Sequence, residues 1–154
     1  MLKNMLAGIW RRLPSGTRLF ALRLVNPRFT VTAAAVIFNE KDQVLLLKHR
    51  FRPGSGWGLP GGFLKRGEQP LDALHRELSE EVGLEISQVE IFRARTFARP
   101  RQIEILFCGT SSDQPQPRSI EIECAVWFNP NELPAGLPKN QESLINRAVE
   151  KRRL

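Results

Sequence analysis

The sequence contains little cysteine, no tyrosine and no long apolar run, and each shortage argues against a class of protein. Two cysteines in 154 residues are too few for a disulfide framework. Cys108 and Cys124 each lie in an apolar stretch, so we expect two small buried side chains and a reducing, cytoplasmic compartment. No apolar run approaches the roughly 18 residues of a membrane-spanning helix, so we expect no integral membrane association. The length fits one ordinary globular domain.

Acidic residues are missing from the first part of the chain. Residues 1–30 carry six basic residues and no acid, and residues 146–154 have a net charge of +3. Between these basic ends, residues 62–84 and 119–145 have net charges of −2 and −3. A basic surface can bind nucleic acid, a membrane surface or a small anion, and charge alone does not choose among them. The clustered carboxylates of the middle need an explanation of their own.

Residues 1–28 are predicted to form a basic, amphipathic helical segment that precedes a domain over residues 29–154. The apolar positions of residues 1–13 recur at helical spacing, namely at Leu2, Met5, Leu6, Ile9, Trp10 and Leu13. Pro14 ends this helix, and the charged residues within it argue against a signal peptide. We expect the helix to pack on its own domain or on a partner subunit, which would make a homodimer. Binding to a membrane surface is the alternative.

The remainder of the chain mixes strands and helices, which predicts an α+β domain with an α/β/α layered arrangement. The predicted strands cover residues 29–38, 43–48, 89–98, 102–109 and 120–128, and the first two pairs look like hairpins. Helices are predicted over residues 70–82 and 141–152. Gly83 follows the first of these helices at the position of a C-terminal glycine cap.

The predicted helix over residues 70–82 is unusually rich in carboxylates. Glu77, Glu80 and Glu81 are related as i, i+3 and i+4, so they converge on one edge of the helix. Each like-charged pair at such spacing destabilises a helix by about 0.2–0.5 kcal/mol. The core-facing stripe beside them is predicted to contain Leu71, Leu74, Leu78 and Val82. Convergent carboxylates are the ligands that magnesium prefers, whereas a solvated acidic face remains the alternative for the helix alone.

A glycine-rich turn, WGLPGG at residues 57–62, precedes this helix and allows backbone atoms to approach a ligand closely. Residues 62–84 match the pattern G-x5-E-x7-R-E-U-x-E-E-x-G-U, in which U is aliphatic, at all nine specified positions. On these residues the chain resembles the Nudix hydrolase family, whose Nudix box has this pattern. The resemblance extends over roughly residues 30–150. It implies a Nudix-type α/β/α sandwich with a mixed sheet and with the box helix bordering the site.

The resemblance also implies an activity and a set of residue roles. Nudix enzymes hydrolyse a pyrophosphate bond in a nucleoside diphosphate linked to another moiety, with Mg²⁺ or Mn²⁺ as cofactor. The implied metal ligands are Gly62 (through its carbonyl), Glu77, Glu80 and Glu81. Glu80, Glu81 and Arg76 are implied to serve catalysis, and Arg76 would form a supporting ion pair with Glu68.

The general base lies in different places in different family members. Here the candidates are Glu121, Glu123 and a glutamate of the box. Glu121 matches the family position better, because it lies six residues before Trp127. Two exposed strand carboxylates without a catalytic role are the alternative for Glu121 and Glu123.

The substrate is a nucleotide by this resemblance, and four residues are candidates for binding it. Arg50 and Arg52 could contact phosphates, and Trp57 and Phe97 could stack on a base; a solvated surface and ordinary aromatic packing are the alternatives. The expected substrates are ADP-ribose-like molecules, sugar nucleotides or nucleoside triphosphates. The alternatives are hydrolysis at the 5′ end of RNA and a basic Nudix-fold module that binds nucleic acid.

Overall fold

The structure is a computed structural model that describes residue 8 and residues 10–153. We number its helices and strands in chain order. The helices are α1 (Ser15–Val25), α2 (Pro70–Val82) and α3 (Lys139–Arg152). The strands are β1 (Thr30–Phe38), β2 (Val44–His49), β3 (Trp57–Gly58), β4 (Gly61–Phe63), β5 (Ser87–Phe97), β6 (Gln102–Thr110) and β7 (Ile122–Phe128).

Strand β1 lies at the centre of a mixed sheet. The order β3-β2-β1-β6-β5 forms the sheet, with β4 paired to β1 and β7 paired to β2. The β1–β6 pair is parallel, and all the others are antiparallel. Both predicted hairpins are therefore confirmed, as is the α+β class.

The two faces of β1 and β2 support two separate hydrophobic layers. On one face Ala33, Ala35 and Ile37 pack with α2, and on the other Ala34, Val36 and Phe38 pack with α3. Burial on both faces explains why β1 reads as a continuous apolar run without alternation. The sheet is thus covered by one helix on each side, as the α/β/α prediction requires.

Helix α2 begins and ends as the sequence predicts. Pro70 stands in its first turn, and Gly83 adopts a left-handed conformation, with φ of 63°, immediately after its last residue. The predicted apolar stripe is wrong at one position, because Leu71 is exposed and Ala73 is fully buried in its place. Leu74, Leu78 and Val82 are buried as predicted.

The N-terminal prediction is only partly covered by the structure. Residues 1–7 and 9 lie outside the described residues, and with them most of the apolar stripe predicted for residues 1–13. The described part contains α1, which lies within the helical segment predicted for residues 1–28, although the pattern alone had indicated no separate helix after Pro14. The boundary between residues 28 and 29 stays a prediction.

Cys108 and Cys124 are free thiols that are half-buried rather than fully buried. None of the helices in the described ranges is long and apolar enough to cross a membrane.

Candidate active site

Strand β4 places two glycines beside the carboxylates of α2. Gly61 pairs with Ala34 and Gly62 pairs with Ala33 on β1. Gly61 has a φ of 139°, and a Cβ atom there would overlap the carbonyl oxygen of Ala33. A Cβ atom on Gly62 would overlap the carboxylate of Glu77. The glycine-rich turn therefore allows backbone and carboxylate to meet at van der Waals distance.

Arg76 is the centre of a half-buried ion-pair network on one edge of α2. Its Nε donates to Glu68 Oε1 at 2.8 Å, and its Nη1 donates to Glu77 Oε1 at 2.8 Å and to Glu80 Oε2 at 3.3 Å. A further bond from Nη2 to the carbonyl of Phe63, at 3.0 Å, ties the helix to the end of β4. The expected pair between Arg76 and Glu68 is thus present. Hydrogen bonds from Arg76 lower the pKa of Glu68 to about 2.

Glu81 has a different environment from the other carboxylates of the helix. It is only 8% exposed, and its Oε2 is buried without a hydrogen-bond partner among the described residues. Burial, reinforced by the neighbouring charge of Glu77, raises its pKa to about 7. The backbone N–H of Gly61 and the charge of Arg52 act in the opposite direction. Among the described residues Glu81 is therefore a buried carboxylate without a direct ion pair, at the position where α2 meets β4.

The three box carboxylates do not point at a single centre in this structure. In the described part of the chain, no group of three or more His, Cys, Asp or Glu side chains is arranged as a metal cluster. The reason is visible in the ion pairs, because Glu77 and Glu80 turn toward Arg76 while Glu81 points inward. The three glutamates lie on one edge of α2, as their spacing predicts, but their side chains point in different directions.

The loop between β6 and β7 carries Glu121 to the same region. Its backbone bonds to the end of α2, where the N–H of Arg118 donates to the carbonyl of Glu81 at 2.8 Å. The charge of Glu121 contributes to the raised pKa of Glu81, so the two carboxylates are near each other. Glu123 instead forms an ion pair with Lys48 at 2.9 Å. Within the described residues Glu121 has no ion pair, which makes it the less constrained of the two candidates.

A cleft of about 170 Å³ adjoins the two glycines of β4. Its polar lining residues are Thr32, Arg52, Gln102, Glu104 and Gln141. The guanidinium of Arg52 lies against Gly58, where a Cβ atom would overlap it. Burial of that guanidinium lowers its pKa, while the charges of Glu81 and Glu104 act to raise it.

The other predicted substrate residues lie outside this cleft. Trp57 packs its ring edge-to-face on Phe128, with centroids 5.1 Å apart. The ring of Phe97 is covered by the guanidinium of Arg95, 4.8 Å from its centroid. The Nε of Arg50 donates to the carbonyl of Ile120 at 3.2 Å. Of the four, Arg52 alone lines the cleft described here.

The sequence model of the NUDIX domain matches residues 28–148. This chain belongs to the Nudix hydrolase family. The predicted family and the predicted enzyme class are therefore confirmed, and the family match covers the β4 glycines, the box helix and the loop of Glu121.

Named Nudix relatives differ in their activities. The NAD-capped RNA hydrolase NudC of Photobacterium profundum is 30% identical over 68% of this chain and 40% of its own length. The chain thus spans about two fifths of that curated relative. An ADP-ribose pyrophosphatase of Streptococcus suis is similar with a TM-score of 0.60 and 26% identity, over 79% of this chain and 92% of that one.

A further solved structure supports the Nudix fold. The NUDIX domain of Shewanella oneidensis NrtR, in complex with ADP ribose, has a TM-score of 0.73. It is 22% identical and covers 91% of this chain and 99% of that one. At that identity the likeness shows the fold alone, which matches the predicted mixed sheet with its box helix.

Sequence reasoning missed most of the cleft of this Nudix domain. Thr32 pairs with Glu104 across β1 and β6, and Gln102 Nε2 donates to Thr32 Oγ1 at 2.8 Å. Gln141, at the start of α3, accepts a hydrogen bond from the N–H of Leu59 at 2.8 Å. The available signal was the polar residues at alternate positions, 102 and 104, at the start of an otherwise apolar strand.

Proposed function

We propose that the chain hydrolyses a pyrophosphate bond in a nucleoside diphosphate linked to another moiety, with a divalent metal ion. The observation that carries this proposal is the juxtaposition of the box carboxylates, the close-packed glycines of β4 and the Arg52-lined cleft. A charged edge next to a small cleft suits a ligand that has an anionic part and an organic part. ADP-ribose-like molecules, sugar nucleotides and nucleoside triphosphates share this composition.

The donor set fits a hard cation such as Mg²⁺ or Mn²⁺. Glu77, Glu80, Glu81 and the carbonyl of Gly62 are all oxygen donors, and the unpartnered Oε2 of Glu81 is an open acceptor. When bound, the metal supplies charge neutralisation at the phosphates and lowers the pKa of water. The guanidinium of Arg76 neutralises Glu77 and Glu80 in this structure, so binding requires those two side chains to turn. Arg76 then retains its bond to Glu68, which holds α2 against the β4 end.

Glu121 is our candidate for the general base. It lies near Glu81 and lacks an ion pair in the described part of the chain, so it is free to accept a proton from an attacking water. Glu123 is less suited, because Lys48 holds its carboxylate on the strand surface.

Arg52 is our candidate for binding a phosphate or another anionic substrate group. Its guanidinium reaches the cleft between the carboxylates of Glu81 and Glu104. Gln102 and Gln141 add amide groups that can hydrogen-bond a sugar or base. The rings of Trp57 and Phe97 already contact other side chains. We therefore prefer binding by Arg52, Gln102 and Gln141 to base stacking on either ring.

Hydrolysis at the 5′ end of RNA is the second candidate, and the similarity to NudC supports it. A module that only binds nucleic acid is third, because crowded carboxylates would oppose a polyanion without a cation to neutralise them. A homodimer also stays a proposal.

A substrate panel tests these alternatives. The purified chain is incubated with Mg²⁺ and ADP-ribose, sugar nucleotides, nucleoside triphosphates, NAD-capped RNA or 5′-triphosphate RNA, and the products are separated by ion-exchange chromatography. We expect cleavage of a small nucleotide that stops in excess EDTA and returns with added Mg²⁺. Cleavage of RNA alone would establish the second candidate. Turnover that persists in EDTA would overturn the metal-dependent proposal.

A further inference from the structure

The loop between β6 and β7 closes the C-terminal end of α2. The last carbonyl groups of a helix have no hydrogen-bond partner within that helix. Here two of them accept hydrogen bonds from the loop. The N–H of Gln116 donates to the carbonyl of Val82 at 2.9 Å, and the N–H of Arg118 donates to the carbonyl of Glu81 at 2.8 Å. These bonds fix the register between the loop and the helix that carries the box carboxylates.

The guanidinium of Arg118 lies against the glycine that follows α2. A Cβ atom on Gly83 would overlap the Nε, Cζ and Nη2 atoms of Arg118. Two surface clefts of about 460 and 450 Å³ adjoin this contact, one bounded by the loop and the other by α2, and both are lined by Gly83 and Arg118. Within the described part of the chain the guanidinium makes no ion pair. The glycine is therefore a principal support of this side chain.

Arg118 also supplies a charge that α2 lacks at this end. The last turn of α2 contains no basic residue, whereas Glu80 and Glu81 both lie in it. The negative end of the helix dipole and these two carboxylates favour a cation beside the helix end. The loop brings one there, so the contact between Arg118 and Gly83 is favoured by charge as well as by shape.

A tight turn connects Arg118 to Glu121, three residues further along the chain. The N–H of Ile122 donates to the carbonyl of Ser119 at 3.1 Å, and the N–H of Glu121 donates to Ser119 Oγ at 3.2 Å. The turn is therefore held by its own hydrogen bonds, so a displacement of Arg118 is passed on to Glu121.

We propose that Arg118 is a positioning residue for Glu121, an inference that rests on the proposed function, in which Glu121 is the general base. Its guanidinium docks the loop on Gly83 and thereby holds the general base and the box carboxylates as one unit. A general base acts only within hydrogen-bond reach of the proton it accepts. A displacement of about 1 Å can cost about 10²-fold in rate, so the accuracy of this docking matters for catalysis.

Amide hydrogen exchange of the metal-free protein, measured by NMR, tests the docking without reference to activity. In Arg118→Ala the amides of Gln116 and Glu121 should exchange at least about tenfold faster, because the loop opens more often, while those of β1 should be unchanged. Arg118→Lys retains the charge but not the planar group, so its increase should be smaller. Gln114→Ala, an exposed residue of the same loop, is the matched control and should show no increase.

A kinetic double-mutant cycle tests the consequence for catalysis. The substrate is the member of the substrate panel that the parent chain cleaves fastest, with Mg²⁺. Arg118→Ala should lower kcat by at least about tenfold and change KM by less than about twofold. In a Glu121→Gln background the same substitution should lower kcat by less than about twofold, because the base that it positions is already absent. A general loss of folded protein would instead lower kcat by the same factor in both backgrounds.

Gly83→Asn tests the contact from the side of the helix. Asparagine adopts the left-handed conformation more readily than most residues, but its Cβ would occupy the place of the Arg118 guanidinium. We expect this variant to reproduce the faster loop exchange and the lower kcat of Arg118→Ala. Combining the two substitutions should add little to either one, since both remove the same contact.

Three results would overturn the proposal. The first is unchanged exchange of the loop amides in Arg118→Ala. The second is faster exchange with full kcat in Arg118→Ala while Glu121→Gln is inactive, which would refute the positioning role alone. The third is an equal loss of kcat in both backgrounds, which would make Arg118 merely structural. A fully active Glu121→Gln variant would refute the general base of the proposed function, and the positioning role would fall with it even where exchange confirms the docking.

Discussion

Arg50 is joined to Glu121 through the backbone. The N–H of Arg50 donates to the carbonyl of Glu121 at 2.8 Å, and its Nε donates to the carbonyl of Ile120 at 3.2 Å. The N–H of Glu121 itself donates to Ser119 Oγ at 3.2 Å. A side chain expected to contact phosphate is thus engaged in holding the loop of the candidate general base.

We therefore predict that Arg50→Gln acts through Glu121. The shorter amide of glutamine cannot make the hydrogen bond of Nε, so the loop should hold the Glu121 carboxylate less firmly in position. We expect kcat to fall by about tenfold with little change in KM. The same substitution in a Glu121→Gln background should add almost nothing. Arg147→Gln, on the exposed side of α3, is the control. A higher KM at unchanged kcat, equal in both backgrounds, would instead assign Arg50 to substrate binding.

Glu81→Gln keeps the shape of the side chain but removes the charge that we expect to bind the metal. Removal of a group that stabilises charge typically costs about 10²–10³ in kcat, so activity should fall at least that far. The thermal stabilisation gained on adding Mg²⁺ should shrink as well, since a weaker site binds less metal. Glu85→Gln, two residues past the glycine cap, should change neither quantity. Normal activity per folded molecule in the Glu81 variant would show that this glutamate is structural.

The raised pKa of Glu81 also predicts a pH dependence of the metal-free protein. Burial raises the pKa from 4.5 to about 7, so the folded state holds a proton that the unfolded state has lost between these values. The contribution of Glu81 to the free energy of unfolding therefore falls as the pH rises through this window, by about 3 kcal/mol in total. His49 acts in the opposite direction, because burial lowers its pKa to about 4.

The comparison with Glu81→Gln separates these two contributions. The variant lacks the carboxyl but retains His49, so its stability relative to the parent should increase as the pH rises from 4.5 to about 7. Urea denaturation in the presence of EDTA measures the difference. A constant difference over that range would mean that Glu81 titrates normally.

Gly62→Ala should disturb the site without disturbing the fold. The added Cβ overlaps the carboxylate of Glu77, which must turn away from Arg76 and from β4. We expect a loss of at least about tenfold in activity and a higher Mg²⁺ requirement, with a change in stability within about 1 kcal/mol. Gly16→Ala is a matched control, because nothing lies within 4 Å of its added Cβ. Unchanged kinetics in Gly62→Ala would show that Glu77 does not bind the metal.

The parts of the fold that could be predicted were those with a local signal. Helix α2 begins at Pro70 and ends before Gly83, and both residues mark its ends by their own backbone preferences. Strands β3 and β4 were read as a loop because two and three residues are too few to show a period. Helix α1 follows Pro14 directly and contains Gly16 in its first turn, although these two residues had indicated a turn.

The sequence by itself determined the family, the box helix and the set of carboxylates, because these depend on residue types at fixed spacing along one helix. Only the tertiary structure decided which of those carboxylates form ion pairs and which one is buried. Glu77 and Glu80 bond to the half-buried Arg76, while Glu81 is buried where α2 meets β4 and has its pKa raised. The cleft was likewise decided by the sheet, since its residues come from β1, β4, β6 and the start of α3. Spacing fixes where a side chain leaves the helix, but burial and partners come from segments distant in sequence.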